Sequence, residues 1–131
     1  MTPLLPPGWP RAKGYANGIS ASGRLIVTAG VIGWDEREYF VSHDLPGQFA
    51  QVLRNIVAIL NEGGARPEHL VRLTCYVTSI DDYLAGLVEI GAAWKEIIGA
   101  HYPAIALVEV VRLVDPRAKV EIEATAVVPE E

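Results

Sequence analysis

The stretch VEIEATA, residues 120–126, alternates without a break. Val120, Ile122, Ala124 and Ala126 fall on one side of an extended chain, and Glu121, Glu123 and Thr125 on the other. Successive side chains of a strand point to opposite faces. The stretch therefore asks for a sheet with one dry face and one face that carries two carboxylates. PAIALVEV, residues 103–110, reads as a further strand. If the two are neighbours, carboxylates without an obvious cation line a wall. That wall is either an ordinary wet face or a site without its positive partner.

The remaining segments supply the rest of such a sheet and its cover. Residues 1–13 hold four of the nine prolines and read as an irregular arm. GYANGIS, residues 14–20, is a candidate short strand, and a turn at Ser22-Gly23 leads into a strand over 24–30. Residues 31–41 contain Gly33 and several charges, and read as a loop with a short strand at 38–41. Asp44 can cap a helix and Pro46 suits its first turn. Phe49, Val52, Leu53, Ile56, Ile59 and Leu60 then recur at helical spacing until Gly63-Gly64. Residues 69–78 read as a long strand. Ser79 or Asp81 opens a second helix with a stripe of Leu84, Leu87, Val88, Gly91, Trp94, Ile97 and Ile98, stopped by Gly99. The order β-β-α-β-α-β-β over residues 1–131 describes one domain with mixed strands and helices.

Two helices cover one face of this sheet. The other is expected to show Ile26, Val71 or its neighbours, Leu107 and Ile122-type positions, and self-association is the economical cover. With 50% apolar or aromatic residues in 131, a second subunit or a well-filled core can absorb the excess. The net charge is −5 and the eleven Lys and Arg are scattered, which weighs against a nucleic-acid partner. No run approaches the roughly 18 apolar residues of a membrane span. The N-terminus does not fit a signal peptide, so a soluble, cytoplasmic protein is expected. The single cysteine, Cys75, reads as a small buried hydrophobe rather than a nucleophile. His43, His69 and His101 show no helical pairing, and no metal site or cofactor is expected. His101 is either an exposed loop histidine or a residue at a cleft mouth.

Taken in order, GYANGI, RLIVTAGVIG, FAQVLRNIVAILNEGGA, HLVRLTCYVTSIDDY and YPAIALVEVVRL followed by VEIEATAV resemble the Rid family. It is also called the YjgF or L-PSP family, and the resemblance covers about residues 14–128. It implies an α+β, chorismate-mutase-like sandwich: a mixed sheet, two helices on one face, and a homotrimer with ligand clefts between subunits. In active members the reaction is hydrolysis of an enamine or imine to a 2-keto acid and ammonia. Position by position, the family's catalytic carboxylate falls on Glu121, its first-strand tyrosine on Tyr15, and its cleft-lining glycine on Gly30.

The chain departs from the family at four other positions. The substrate-clamping arginine is Ile105 and the neighbouring serine is Ala106. Ala29 stands before Gly30 where the family has serine, and Val31 follows where it has glutamine. An arginine fork gives a carboxylate two charge-assisted hydrogen bonds, and isoleucine gives none. A small α-imino acid is therefore expected to be rejected unless another cation reaches in. Arg11, Lys13, Arg24, Arg37 and Lys95 are available for that. Trp34 is a candidate for the cleft wall.

Ala29, Val31, Ile105 and Ala106 shift the cleft toward apolar, which fits a larger or less anionic small-molecule ligand, or a cleft simply filled by side chains. An apolar cleft would raise the pKa of Glu121 by desolvation and fit it to activate water. The alternative is a solvated or salt-bridged strand glutamate, as Glu123 is read. Tyr15 either touches substrate or packs at a subunit boundary. Three functions follow: a divergent imine or enamine hydrolase, a non-catalytic small-molecule-binding trimer, and, least supported by the charge, a ribonuclease.

Overall fold

The computed structural model describes residues 1–130. The alternating stretch forms strand β7, Val120–Val128, and its dry side is buried as the pattern requires. On one edge β7 pairs antiparallel with β5, Leu70–Val77. On its other edge lie β3, Arg24–Val27, and β4, Val31–Ile32. Strand β6, Ala104–Glu109, pairs parallel with β5 at the sheet's margin. The order is β3-β7-β5-β6, with β4 also on β7. The two carboxy-terminal strands are thus not neighbours, since β5 separates them.

Strand β3 breaks before β4 because Thr28 takes over the ladder. Its N–H donates to the Ala124 carbonyl at 2.9 Å, and its Oγ1 accepts from the Ala124 N–H at 3.0 Å. The chain then steps past Ala29 and Gly30 and rejoins β7 with Ile32 opposite Glu121.

Helix α1 spans Leu45–Glu62. Asp44 caps it, with Oδ1 accepting from the Gly47 N–H at 2.8 Å. Gly63 ends it, and Gly64 follows at φ +76°, where glycine is the unstrained residue. Phe49, Val52, Leu53, Ile56 and Leu60 are buried against the sheet, whereas Ile59 is exposed.

The single second helix expected from the sequence is two. Helix α2, Ile80–Ala85, is capped by Ser79, and α3, Leu87–Ile97, follows after Gly86. A Cβ on Gly86 would lie 2.5 Å from Pro46 Cγ, so the break lets the chain press against the start of α1. It also resets the helical phase. Ile90, Trp94 and Ile98 form the buried stripe, while Leu84, Leu87 and Val88 stay exposed. Together α2 and α3 make the crossover that the parallel β5–β6 pair needs.

Two polar side chains of α1 fix the loops around the sheet. Gln48 is buried and fully used: Nε2 donates to the Ser42 and Arg117 carbonyls, and Oε1 accepts from the Lys119 N–H at 2.8 Å. Asn55 Nδ2 donates to the carbonyls of Ile32 at 3.1 Å and Trp34 at 2.7 Å. The expected strand at 38–41 is absent: beyond β4, residues 31–41 hold only an isolated bridge between Trp34 and Phe40.

At the amino end the arm is not wholly irregular. Thr2–Pro3, β1, pairs with Ile19–Ser20, β2, in a small separate ribbon. The rest of 14–20 is not a strand, but the Ala16 N–H donates to the Pro103 carbonyl at 2.9 Å. That bond holds Tyr15 near the start of β6.

The uncovered sheet face differs from the expectation. Ile26, Leu107 and Ile122 belong to the helix side and pack in or against the core. The open face shows Leu25 at 65% and Val27 at 64% exposure, with Val108 at 46%. A slip of one residue in reading a strand swaps its faces, and Ile26 pairs with the buried Ala126. Among the described residues, no helix is long and apolar enough to cross a membrane.

Candidate functional site

Glu121 stands on the open face of β7, flanked by Ile32 of β4 and Tyr76 of β5. Its carboxyl group lies against the Gly30 backbone. A Cβ on Gly30 would meet Glu121 Oε2 and come within 2.8 Å of its Cδ. Gly30 has no positive φ, so close approach, not backbone conformation, asks for glycine here. Around them opens a hollow of about 800 Å³ that also touches Val31, Trp34, Asn55 and Val114. Four of the expected site residues, Gly30, Val31, Trp34 and Glu121, are therefore together.

A smaller hollow of about 250 Å³ adjoins on the other side of Glu121 and brings in Tyr76, Glu123 and Arg112. Tyr76 Oη donates to Glu123 Oε1 at 2.6 Å, and that bond pushes the phenol pKa up. Glu123 is thus hydrogen-bonded rather than merely solvated. Arg112 is the cation of this hollow, and it makes no ion pair among the described residues. In the sequence it is one of the scattered basic residues. The loop that carries it, between β6 and β7, shows no periodicity from which its position could be read.

Tyr15 and Ile105 lie elsewhere. They line a pocket of about 380 Å³ beneath α3, whose floor is Leu73, Cys75 and Leu107. Trp94 forms part of its wall. It stacks on Tyr102 with centroids 5.8 Å apart, and its Nε1 donates to the His101 carbonyl at 3.1 Å. His101 is held in turn: its Nε2 lies 2.7 Å from the Leu70 carbonyl, which can only accept, so Nε2 carries the proton. His101 is a half-buried clamp, not an exposed loop residue. Burial pushes the Cys75 thiol up to about 12, which leaves it protonated and without nucleophilic character. Ala106 lines none of these three spaces.

The register fixes the relation between the two places. Ile105 pairs with Leu73, and Leu73 with Ala124 on the buried side of the sheet. Glu121 is of the opposite parity. Ile105 and Glu121 therefore occupy opposite faces, and the single wall expected from the sequence does not exist within one chain.

A mixed sheet of this order with its helices on one face is the YjgF fold, and solved structures bear out that class. A Rid-family protein of unknown function from Yersinia pestis matches with a TM-score of 0.84 at 30% identity, covering 97% of this chain and 98% of that one. The YjgF gene product of Escherichia coli matches with a TM-score of 0.71, also at 30% identity, over 97% and 98%. The family model described as Endoribonuclease L-PSP matches residues 9–128, and the chain belongs to this Rid/YjgF family. Among curated relatives, a 2-iminobutanoate/2-iminopropanoate deaminase of Salmonella typhimurium is 32% identical over 117 residues, 86% of each chain. A RutC family protein of Synechocystis is 35% identical over 118 residues, 88% of this chain and 86% of the relative.

Proposed function

We propose that the chain is an imine or enamine deaminase whose substrate is not a small α-imino acid held by arginine, and whose site is completed between copies of the chain in a homotrimer. The observation that carries this reading is the Glu121 carboxyl group seated on Gly30 in an open hollow. Such a group is a base within reach of water and of a substrate approaching from outside the chain. Glu121 takes a proton from water as the oxygen bonds to the C=N carbon. With the imine nitrogen entering protonated, the carbinolamine is neutral; Glu121 returns its proton to that nitrogen, and as ammonia leaves the hydroxyl proton passes to the Glu121 carboxylate and the carbonyl forms. Tyr15 supplies a hydroxyl that can donate to the substrate nitrogen or accept from water.

The opposite-face placement of Ile105 and Glu121 supports an intersubunit site. A ligand in the pocket beneath α3 cannot reach the Glu121 of its own chain through the sheet. The exposed Leu25, Val27 and Val108 give a second copy an apolar surface to cover. The same separation favours one other reading, a binding protein without turnover, in which the pocket works alone. Ribonuclease action fits poorly, because the Glu121 hollow also carries Asp35 and Glu36, which repel phosphate.

The test is ammonia release from freshly generated imines by wild type and Glu121→Gln. Turnover that the substitution abolishes supports the deaminase. Saturable binding of the corresponding keto acids, with no turnover of any imine, supports the binding protein.

A further inference from the structure

Replacement of the clamping arginine by Ile105 leaves open what, if anything, holds a charged substrate. Five basic residues were available in the sequence, and the structure separates them. Arg24 sits by Gly64 at the end of α1, and Arg37 belongs to the turn whose N–H groups Asp35 collects. Arg11 faces the neighbouring hollow around the amino-terminal ribbon. Lys95 lines none of the hollows. Lys13 alone of the five lines the pocket that holds Ile105 and Tyr15.

The charge balance of that pocket is simple. Among the described residues no carboxylate lines it, and Lys13 is the charged residue of its walls. Burial raises the pKa values of Cys75 and Tyr83, which keeps both neutral. Lys13 makes no ion pair among the described residues. The walls are aromatic and aliphatic, from Phe49, Leu73, Trp94 and Leu107, and a volume of about 380 Å³ falls in the range of pockets for drug-sized ligands. An imino acid as small as those in the deaminase relatives' names leaves most of it empty.

We propose that Lys13 takes the anion-binding role in this pocket, and that the ligand is a carboxylate with a bulky aromatic or branched apolar body. The body lies between the β5–β6 floor and α3, and the carboxylate stays at the rim beside Lys13. An exposed ammonium is a point charge on a flexible stem, so it attracts a carboxylate without the fixed geometry of a guanidinium fork. Selectivity for size then comes from the walls, and selectivity for charge from Lys13. This assignment of substrate class rests on the deaminase reading, but the binding it requires is measurable without turnover.

Calorimetric titration with phenylpyruvate, its methyl ester and pyruvate tests it, using wild type, Lys13→Ala, Lys13→Arg and Gly91→Leu. Gly91 is helical, lines the pocket, and a Cβ there meets nothing within 4 Å, so a leucine can be seated there to occupy the pocket space. Wild type is expected to bind phenylpyruvate more tightly than the ester or pyruvate. Lys13→Ala should weaken phenylpyruvate by roughly two- to fivefold, the range of exposed charge pairs, and leave the ester unchanged. Lys13→Arg should keep the preference, and Gly91→Leu should abolish binding of both while the melting temperature holds. No phenylpyruvate binding, equal binding by wild type and Lys13→Ala, or binding that survives Gly91→Leu overturns the proposal. Turnover that needs Glu121 but whose KM ignores Lys13 overturns it too, and leaves the deaminase standing. Lys13-dependent binding with no turnover of any imine does the reverse.

Discussion

Glu121 and Gly30 are in van der Waals contact across the β4–β7 edge, and the room for the carboxyl group is the room left by the missing Cβ of Gly30. The placement of the proposed base is thus written into a residue without a side chain. Gly30→Ala puts a methyl group within 2.8 Å of Glu121 Cδ and must turn the carboxyl group away. A base misplaced by about 1 Å can cost on the order of a hundredfold in rate. We expect Gly30→Ala to lower kcat by at least roughly tenfold, while the fold, read by thermal melting, shifts little. An unchanged kcat would show that Glu121 does not act from this position.

Cys75 offers a pH-dependent reporter of the core. Its folded pKa is raised from 9.0 to about 12, so the folded state holds the proton more tightly than the unfolded state. The stability this group contributes is fully present below pH 9.0 and falls as pH rises toward about 12. Ellman's reagent at pH 8 should leave the native thiol unlabelled and react with it after denaturation. Fast labelling of the native protein would mean that the floor of the pocket opens to solvent.

How much of this was visible in the sequence depends on the kind of interaction. The alternation of residues 120–126 gave β7 its faces, because a strand's periodicity is local and strict. The cap at Asp44 and the stop at Gly63 are likewise local chemistry. What failed was long-range. The helix stripe from Leu84 to Ile98 is continuous on paper, but Gly86 packs on Pro46, a contact made by the fold. That Ile105 and Glu121 share no face depends on β5 lying between β6 and β7, which strand order in the chain does not reveal. Lys13 and Arg112 acquire their surroundings from irregular segments, where no pattern marks a neighbour.

Gln48 is an example of a residue the hydrophobic pattern hides. It lies among the apolar positions of α1, yet ties Ser42, Arg117 and Lys119 to the helix start. Gln48→Leu keeps the volume and leaves the Lys119 N–H and two carbonyls without partners. Each buried group left unsatisfied costs about 1–3 kcal/mol, so a loss of at least about 2 kcal/mol is expected in urea unfolding. A loss below about 0.5 kcal/mol would mean that water or a shift of the 115–119 loop replaces the bonds.

The Ile105 position gives the last prediction. Its side chain faces a pocket floored by Leu73 and Leu107 and is only partly buried, so an arginine has room to reach toward the rim near Tyr15. Ile105→Arg replaces a methyl-lined floor with a fork that binds carboxylate through two parallel hydrogen bonds. We expect this variant to gain turnover of small imino acids that wild type handles poorly, and to lose part of the preference for bulky bodies. The gain should vanish in the Ile105→Arg, Glu121→Gln double variant. A variant that folds but gains nothing would mean that size selection by the walls, and not the missing cation, keeps small substrates from turning over.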